Sequence, residues 1–172
     1  PAQTGPLFNQ RAWFVTLWTP SVANALGIAR GAIDTVVELA ETEASTLSTS
    51  LLRDRSAVQT RIGEAEGIVR SARAYVFDAV GDVWRTVCAG NDPTDHQVAQ
   101  ARLALVHGMH AAVAAVDKVF HAAGTNAIYT RHPLERAFRD VHVAVTHGAA
   151  LPSYFESAGK VLLGLKPAEP GW

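Results

Sequence analysis

Apolar residues along this 172-residue chain recur at spacings of three and four almost from end to end, and no run alternates singly as a half-buried strand does. The first apolar-periodic stretch predicts a helix from Phe8 to Glu43, kinked or restarted at Pro20 with Thr19 as its cap. The run STLSTS from Ser45 to Ser50 has loop composition. A second helix is predicted from Ser56 to Ala89, with Val58, Ile62, Ala65, Val69, Ala72, Val76, Val83 and Val87 as its seam against antiparallel neighbours. At 1.5 Å per residue it runs about 50 Å, more than a compact monomeric domain of this size needs. Gly90-Asn91-Asp92-Pro93 breaks the chain, and Thr94 with Gln97 forms a capping box. The third helix turns Val98, Leu105, Ala112, Val116, Val119 and Phe120 to the core and ends at Gly124 as its C′ glycine. A fourth starts at Pro133 in the N1 position, and Ser153 with Glu156 caps a short fifth. The predicted fold class is all-α, an up-and-down bundle of four main helices. It occupies residues 8–164, between a linker remnant at 1–7 and a frayed tail, LKPAEPGW, at 165–172.

Composition adds to that picture. A content of 48% hydrophobic and 18% charged residues, rich in alanine and valine, suits closely packed helices in a single domain. The apolar surplus also suggests surface buried against other subunits or missing domains. A net charge of −1 offers no basic field, which argues against nucleic acid and anionic membrane as partners. Ala12 to Ala29 is uncharged and long enough to raise a transmembrane reading. Pro20, Asn24, Thr16, Thr19 and Ser21 make it only moderately apolar, and a helix buried on most sides by protein is the reading adopted. The single cysteine, Cys88, excludes an internal disulfide and fits a reducing, cytoplasmic compartment. The start at PAQTGPLF, without an initiator methionine or signal pattern, reads as a linker left by removal of an upstream region.

Candidate chemistry concentrates between Gly124 and His147, where a polar loop enters a helix bearing Arg136, Arg139, Asp140 and His142. His107 and His110, or Asp117 and His121, are spaced to share a helix face. A bundle metal site uses Glu-x-x-His pairs on two helices, and without them metal is rejected. Arg136 and Arg139 with Glu135 and Asp140 read as a salt-bridged helix face. Arg53 and Arg55 flank Asp54 before the second helix, where a phosphate is also at home beside the helix N-terminus. His142 and His147, five apart, point to different faces, so only one can face a site formed with the Gly124 loop. A histidine there is suited to exchanging a proton with a phenol or peroxy species.

GIARGAID at Gly27–Asp34, DRSAVQTRIGEAEGIVRSARAY at Asp54–Tyr75 and HPLERAFRDVHVAVTH at His132–His147 resemble the C-terminal helical domain of the acyl-CoA dehydrogenase superfamily. The resemblance, from Leu7 to Gly164, is stronger to its flavin-dependent monooxygenase branch. That branch holds p-hydroxyphenylacetate hydroxylase oxygenases, hydroxysteroid hydroxylases and dibenzothiophene monooxygenases. The family's N-terminal helical and middle β-domains have no counterpart in these residues, so the resemblance implies a C-terminal fragment, inactive alone. Superfamily dehydrogenases carry a catalytic glutamate that falls on Gly148 when their Arg-Asp pair is set on Arg139-Asp140. An alternative base on the first helix falls near Leu17, and no acidic residue occurs from Leu7 to Ile33. Without either carboxylate, α-proton abstraction has no base.

The resemblance implies that His147 is catalytic, hydrogen-bonding a flavin hydroperoxide or phenolic substrate and shuttling its proton. It implies that Gly124, Thr125 and Asn126 approach a flavin's phosphate or adenosine part across a subunit interface, and that Arg53 or Arg55 binds the phosphate. The cofactor implied is reduced flavin, FMN or FAD, from a separate flavin reductase. The remaining partners are a small hydrophobic or aromatic substrate and further copies of the chain in a homotetramer or dimer of dimers. The alternatives are an acyl-CoA dehydrogenase-like oxidoreductase with its base elsewhere, and a non-catalytic helical module that only oligomerises.

Overall fold

The computed structural model describes residues 4–44 and 50–167. These form five α-helices: α1 (Trp13–Thr42), α2 (Ser56–Cys88), α3 (Asp95–Ala123), α4 (Pro133–Ala144) and α5 (Ser153–Leu162). Among the described residues there is no strand, only an antiparallel bridge between Ala44 and Leu51. The all-α bundle expected from the periodicity is the fold observed. Residues 45–49 of the expected Ser/Thr loop and 168–172 of the expected tail lie outside the described residues.

Helix α3 is the axis of the bundle and touches all four other helices. Its alanines at 101, 104, 112 and 115 are completely buried and let neighbouring backbones come close. Gly108 marks the tightest level: a Cβ there would lie 2.7 Å from Val22 Cγ1 on α1 and 3.2 Å from Val76 Cγ2 on α2. Both long helices therefore close on α3 at this level. They touch each other much less, leaving an apolar groove between them lined by Ala23, Leu26, Gly27, Val69, Val76 and Phe77. The stretch Asp95–Ile128 is long and apolar enough to cross a membrane, but these are the residues that the surrounding helices cover.

The predicted seam of α2 is buried at every position except the half-buried Ile62. The capping box of α3 is present, with the Thr94 hydroxyl accepting from the Gln97 amide at 3.2 Å and the Gln97 side chain accepting from the Thr94 amide at 2.9 Å.

Four local expectations are corrected. α1 begins at Trp13 rather than Phe8, which lies in a short 3-10 turn, Pro6–Phe8. The start is made by Asn9, whose Oδ1 accepts the amides of Arg11 at 2.9 Å and Ala12 at 3.1 Å. Pro20 neither stops nor restarts α1, and Thr19 is no cap. The carbonyl that Pro20 leaves without a donor belongs to Thr16, an exposed residue on the outer side of the helix. Nor is α1 buried on most sides, because Trp13, Leu17, Asn24 and Gly27 face outward. Finally, α5 has no side-chain cap: Pro152 occupies the cap position, and Glu156 turns to Lys160 Nζ at 2.7 Å.

Candidate functional site

Two separate places carry the candidate residues, one at each end of α4. At the first, the N-terminus of α2 meets the C-terminus of α3. Gly124 ends α3 with φ +60°, a conformation that L side chains strain to adopt, and the chain passes into the 3-10 turn Gly124–Ile128. Arg61 of α2 donates from Nη1 to the His121 carbonyl at 2.8 Å, fastening the start of α2 to the end of α3. Between them lies a cavity of about 150 Å³ whose wall includes Arg55, Arg61, His121, Gly124, Thr125 and Asn126. Arg55 is the N-cap residue of α2, and its guanidinium has no carboxylate partner among the described residues. The helix N-terminus adds free amides and the positive end of its dipole. Arg53 is not part of that wall; it is exposed, with Nε 3.9 Å from Asp54 Oδ1. Of the candidate phosphate ligands, the fold gathers Arg55 with Gly124, Thr125 and Asn126 and leaves Arg53 outside. It adds Arg61, which sequence reasoning missed, and His121, read there only as a spaced partner of Asp117, because the two become neighbours only when α2 and α3 pack.

At the other end of α4, His147 caps the 3-10 turn Gly148–Ala150, its Nδ1 accepting the Ala149 amide at 3.1 Å. An accepting Nδ1 has no proton, so the neutral ring carries its hydrogen on Nε2. The side chain is exposed and Nε2 has no partner among the described residues. The turn is held by His110 of α3, whose Nε2 lies 3.0 Å from the Ala150 carbonyl oxygen. His142 faces elsewhere: its Nε2 is 2.9 Å from Asp117 Oδ1 on α3, and its ring lies 4.4 Å from that of Phe138. Twelve residues of α4 separate the Gly124 turn from His147, about 18 Å of helix. The loop and the histidine therefore do not share one pocket, as the sequence had suggested they might within a single site.

No carboxylate of α4 or α5 is available as a base near His147. Glu135 accepts from Arg139 Nε at 2.6 Å and Asp140 from Arg136 Nε at 3.2 Å, the salt-bridged face expected from their spacing. The Lys160 ammonium holds the Glu156 carboxyl below its ordinary range, chiefly through their hydrogen bond. Gly148 has no side chain at all. Behind the turn, α5 is anchored by Arg102, which is 4% exposed with its guanidinium 4.7 Å from the Phe14 ring, 5.5 Å from Trp18 and 5.3 Å from Tyr154.

Residues 20–152 match the family model described as acyl-CoA dehydrogenase, C-terminal domain. Indole-3-acetate monooxygenase of Acinetobacter baumannii is 30% identical over 86% of this chain and 38% of its own length. The oxygenase subunit HsaA of a flavin-dependent monooxygenase from Rhodococcus jostii is 27% identical over 87% of this chain and 39% of its own. The crystal structure of the HsaA monooxygenase from M. tuberculosis superposes with a TM-score of 0.81 at 25% identity, over 93% of this chain and 41% of that one. XiaF from Streptomyces, solved with FADH2 and glycerol, shares the fold with a TM-score of 0.84 at 21% identity, over 94% of this chain and 40% of its own. The chain thus spans about two-fifths of the length of these relatives. It belongs to the acyl-CoA dehydrogenase C-terminal domain family, and these curated relatives are monooxygenases, HsaA a flavin-dependent one.

Proposed function

We propose that this chain is the C-terminal helical domain of a monooxygenase that uses reduced flavin, FMN or FAD, from a separate reductase to hydroxylate an aromatic or similarly hydrophobic small molecule. The observation that carries this reading is the His147–Gly148 pair. Where a dehydrogenase of the family needs a carboxylate to take an α-proton, this chain has a glycine, preceded by an imidazole with its Nε2–H turned outward. Bound reduced flavin supplies the activation of oxygen. His147 holds a proton at Nε2 for the reacting oxygen and can take one back from a substrate hydroxyl.

The cavity at the start of α2 fits the anionic end of such a cofactor. Its volume of about 150 Å³ has room for a phosphate, and two guanidiniums lie in its wall. Arg55 would grip the phosphate while the Gly124–Asn126 backbone lies against it. Since that grip and His147 lie at opposite ends of α4, they serve different flavins in an assembly of several copies, each cavity holding the phosphate of a neighbour's cofactor. A homotetramer or dimer of dimers is the form proposed, working in the cytoplasm.

In the full-length protein, His147→Ala should leave reduced-flavin binding within about twofold and lower product formed per flavin oxidised by about 10²-fold, the usual worth of a placed proton donor. Unchanged product yield would remove His147 from the chemistry. Rapid reduction of bound flavin by an acyl-CoA would instead favour a dehydrogenase.

A further inference from the structure

The Gly148–Ala150 turn carries His147 but has little of its own to fix where that side chain stands. It is three residues long, and the hydrogen bonds of a 3-10 turn are poorly aligned. Gly148 opens it with no side chain to hold the backbone, and even a Cβ there would meet nothing within 4 Å. The bonds inside the segment are local: the Ala150 amide donates to the His147 carbonyl at 2.9 Å, and the Ala149 amide to His147 Nδ1 at 3.1 Å. Its buried apolar anchors are two methyl groups, those of Ala149 and Ala150.

A tether from outside the segment comes from His110. A carbonyl oxygen only accepts, so the 3.0 Å contact between His110 Nε2 and the Ala150 oxygen is an Nε2–H donated across 40 residues of sequence. The donor stands on the axis helix at its tightest level. It follows Met109, which is 1% exposed, and lies two residues from Gly108, where Val22 and Val76 close on α3. Its ring is also set against Phe155 of α5, with centroids 6.0 Å apart. His110 thus ties α3 both to the turn and to the helix that follows it. The polar links run in series. His110 holds the Ala150 carbonyl, the Ala150 amide holds the His147 carbonyl, and the neighbouring Ala149 amide holds the His147 ring. Without the tether, the turn is free to swing about Gly148 and carry the imidazole with it. A misplacement of about 1 Å in a reacting group can cost about 10²-fold in rate.

We propose that His110 is a positioning residue for His147: by holding the Ala150 carbonyl, it sets where the Nε2–H of His147 is delivered. This role rests on the proton transfer proposed above for His147, and His110 acts through that residue.

Two replacements in the full-length protein separate the hydrogen bond from the packing. His110→Phe keeps a ring against Phe155 and removes the donor. His110→Gln removes the ring and keeps an N–H at similar reach. His110→Phe should leave reduced-flavin binding within about twofold, which shows that it is folded. It should lower product formed per flavin oxidised about tenfold, less than the full worth of a placed proton donor. His110→Gln should bring the yield back to within about threefold of wild type. Hydrogen exchange read by mass spectrometry should quicken at residues 148–150 in His110→Phe and return to the wild-type rate in His110→Gln. In a His147→Ala background, His110→Phe should change the yield by less than about twofold, because the group it positions is gone. Equal losses in the two His110 variants, or a full further loss in the His147→Ala background, overturn the role. If His147→Ala lowers the yield and His110→Phe does not, this role falls and the chemistry of His147 stands. If His147→Ala keeps the wild-type yield, the chemistry of His147 falls and takes this role with it.

Discussion

Substituting Gly108 by alanine sets two effects of known size against each other. In a helix interior, replacing glycine with alanine stabilises by about 0.8–1 kcal/mol through propensity alone. The added Cβ would lie 2.7 Å from Val22 Cγ1 and 3.2 Å from Val76 Cγ2, against about 3.5–4.0 Å for carbon atoms in contact. Valine in a helix is nearly fixed at χ1, and Val22 and Val76 are 0% and 7% exposed, so neither methyl can swing aside. Relief requires α1 or α2 to move, and overpacking of this kind costs about 1–3 kcal/mol. The net effect is a loss of up to about 2 kcal/mol, or up to about 4–8 °C in Tm at this chain length. Gly159→Ala in α5, where a Cβ meets nothing within 4 Å, is the matched control and should raise Tm by about 1–3 °C. Thermal unfolding followed by circular dichroism reads both. If Gly108→Ala also raises Tm, the close approach of three helices at this level is wrong.

Two further outcomes follow from single side chains. In the full-length protein, Arg55→Ala should weaken reduced-flavin binding about 10–100-fold, the worth of one charge-assisted hydrogen bond, and Arg53→Ala less than about threefold; calorimetric titration showing equal losses would remove the cavity from the phosphate site. Tyr75 donates to Gln100 Oε1 at 2.7 Å, and burial first, then the Asp78 carboxylate, raise its phenol above the ordinary value of 10.0. The unfolded chain then loses this proton first, so stability is complete below about pH 10 and falls as pH rises toward the folded-state value. Denaturant titrations between pH 9 and 11 should show that slope in wild type and its reduction in Tyr75→Phe.

Features that depend on neighbours in sequence were legible without the structure. The seam of α2 and the Thr94–Gln97 box are of this kind, since period and cap are fixed within a few residues. Pro20 was not, because whether a proline breaks a helix depends on what solvates the carbonyl it strands, here that of an exposed threonine. Arg102 was unreadable for the opposite reason. An isolated arginine in a helical pattern reads as solvated, and only the convergence of Phe14, Trp18 and Tyr154 from α1 and α5 makes it part of the core. The choice between Arg53 and Arg55 likewise waits on tertiary structure, because Arg53 lies inside the 3-10 turn Leu52–Asp54 while Arg55 caps α2, and only the packing of α2 on α3 puts Arg55 in the cavity wall. The spacing of His142 and His147 showed that they diverge, but Asp117 on a different helix decides which one is occupied.

The one-residue offset between His147 and the glutamate position at Gly148 has a chemical consequence. A side chain at 147 stands at the cap of the Gly148–Ala150 turn and is drawn onto the Ala149 amide. For an imidazole this fixes the tautomer: Nδ1 accepts from the backbone, and Nε2–H is left to donate. The residue is thereby suited to lend a proton to oxygen and recover it, and poorly suited to remove one from carbon. His147→Asn separates the two roles, because asparagine is a strong cap and has no Nε2–H equivalent in reach. It should preserve stability within about 0.5 kcal/mol and lose hydroxylation as fully as His147→Ala. If His147→Asn hydroxylates at the wild-type yield, the histidine acts only as a cap and its outward nitrogen has no part in the chemistry.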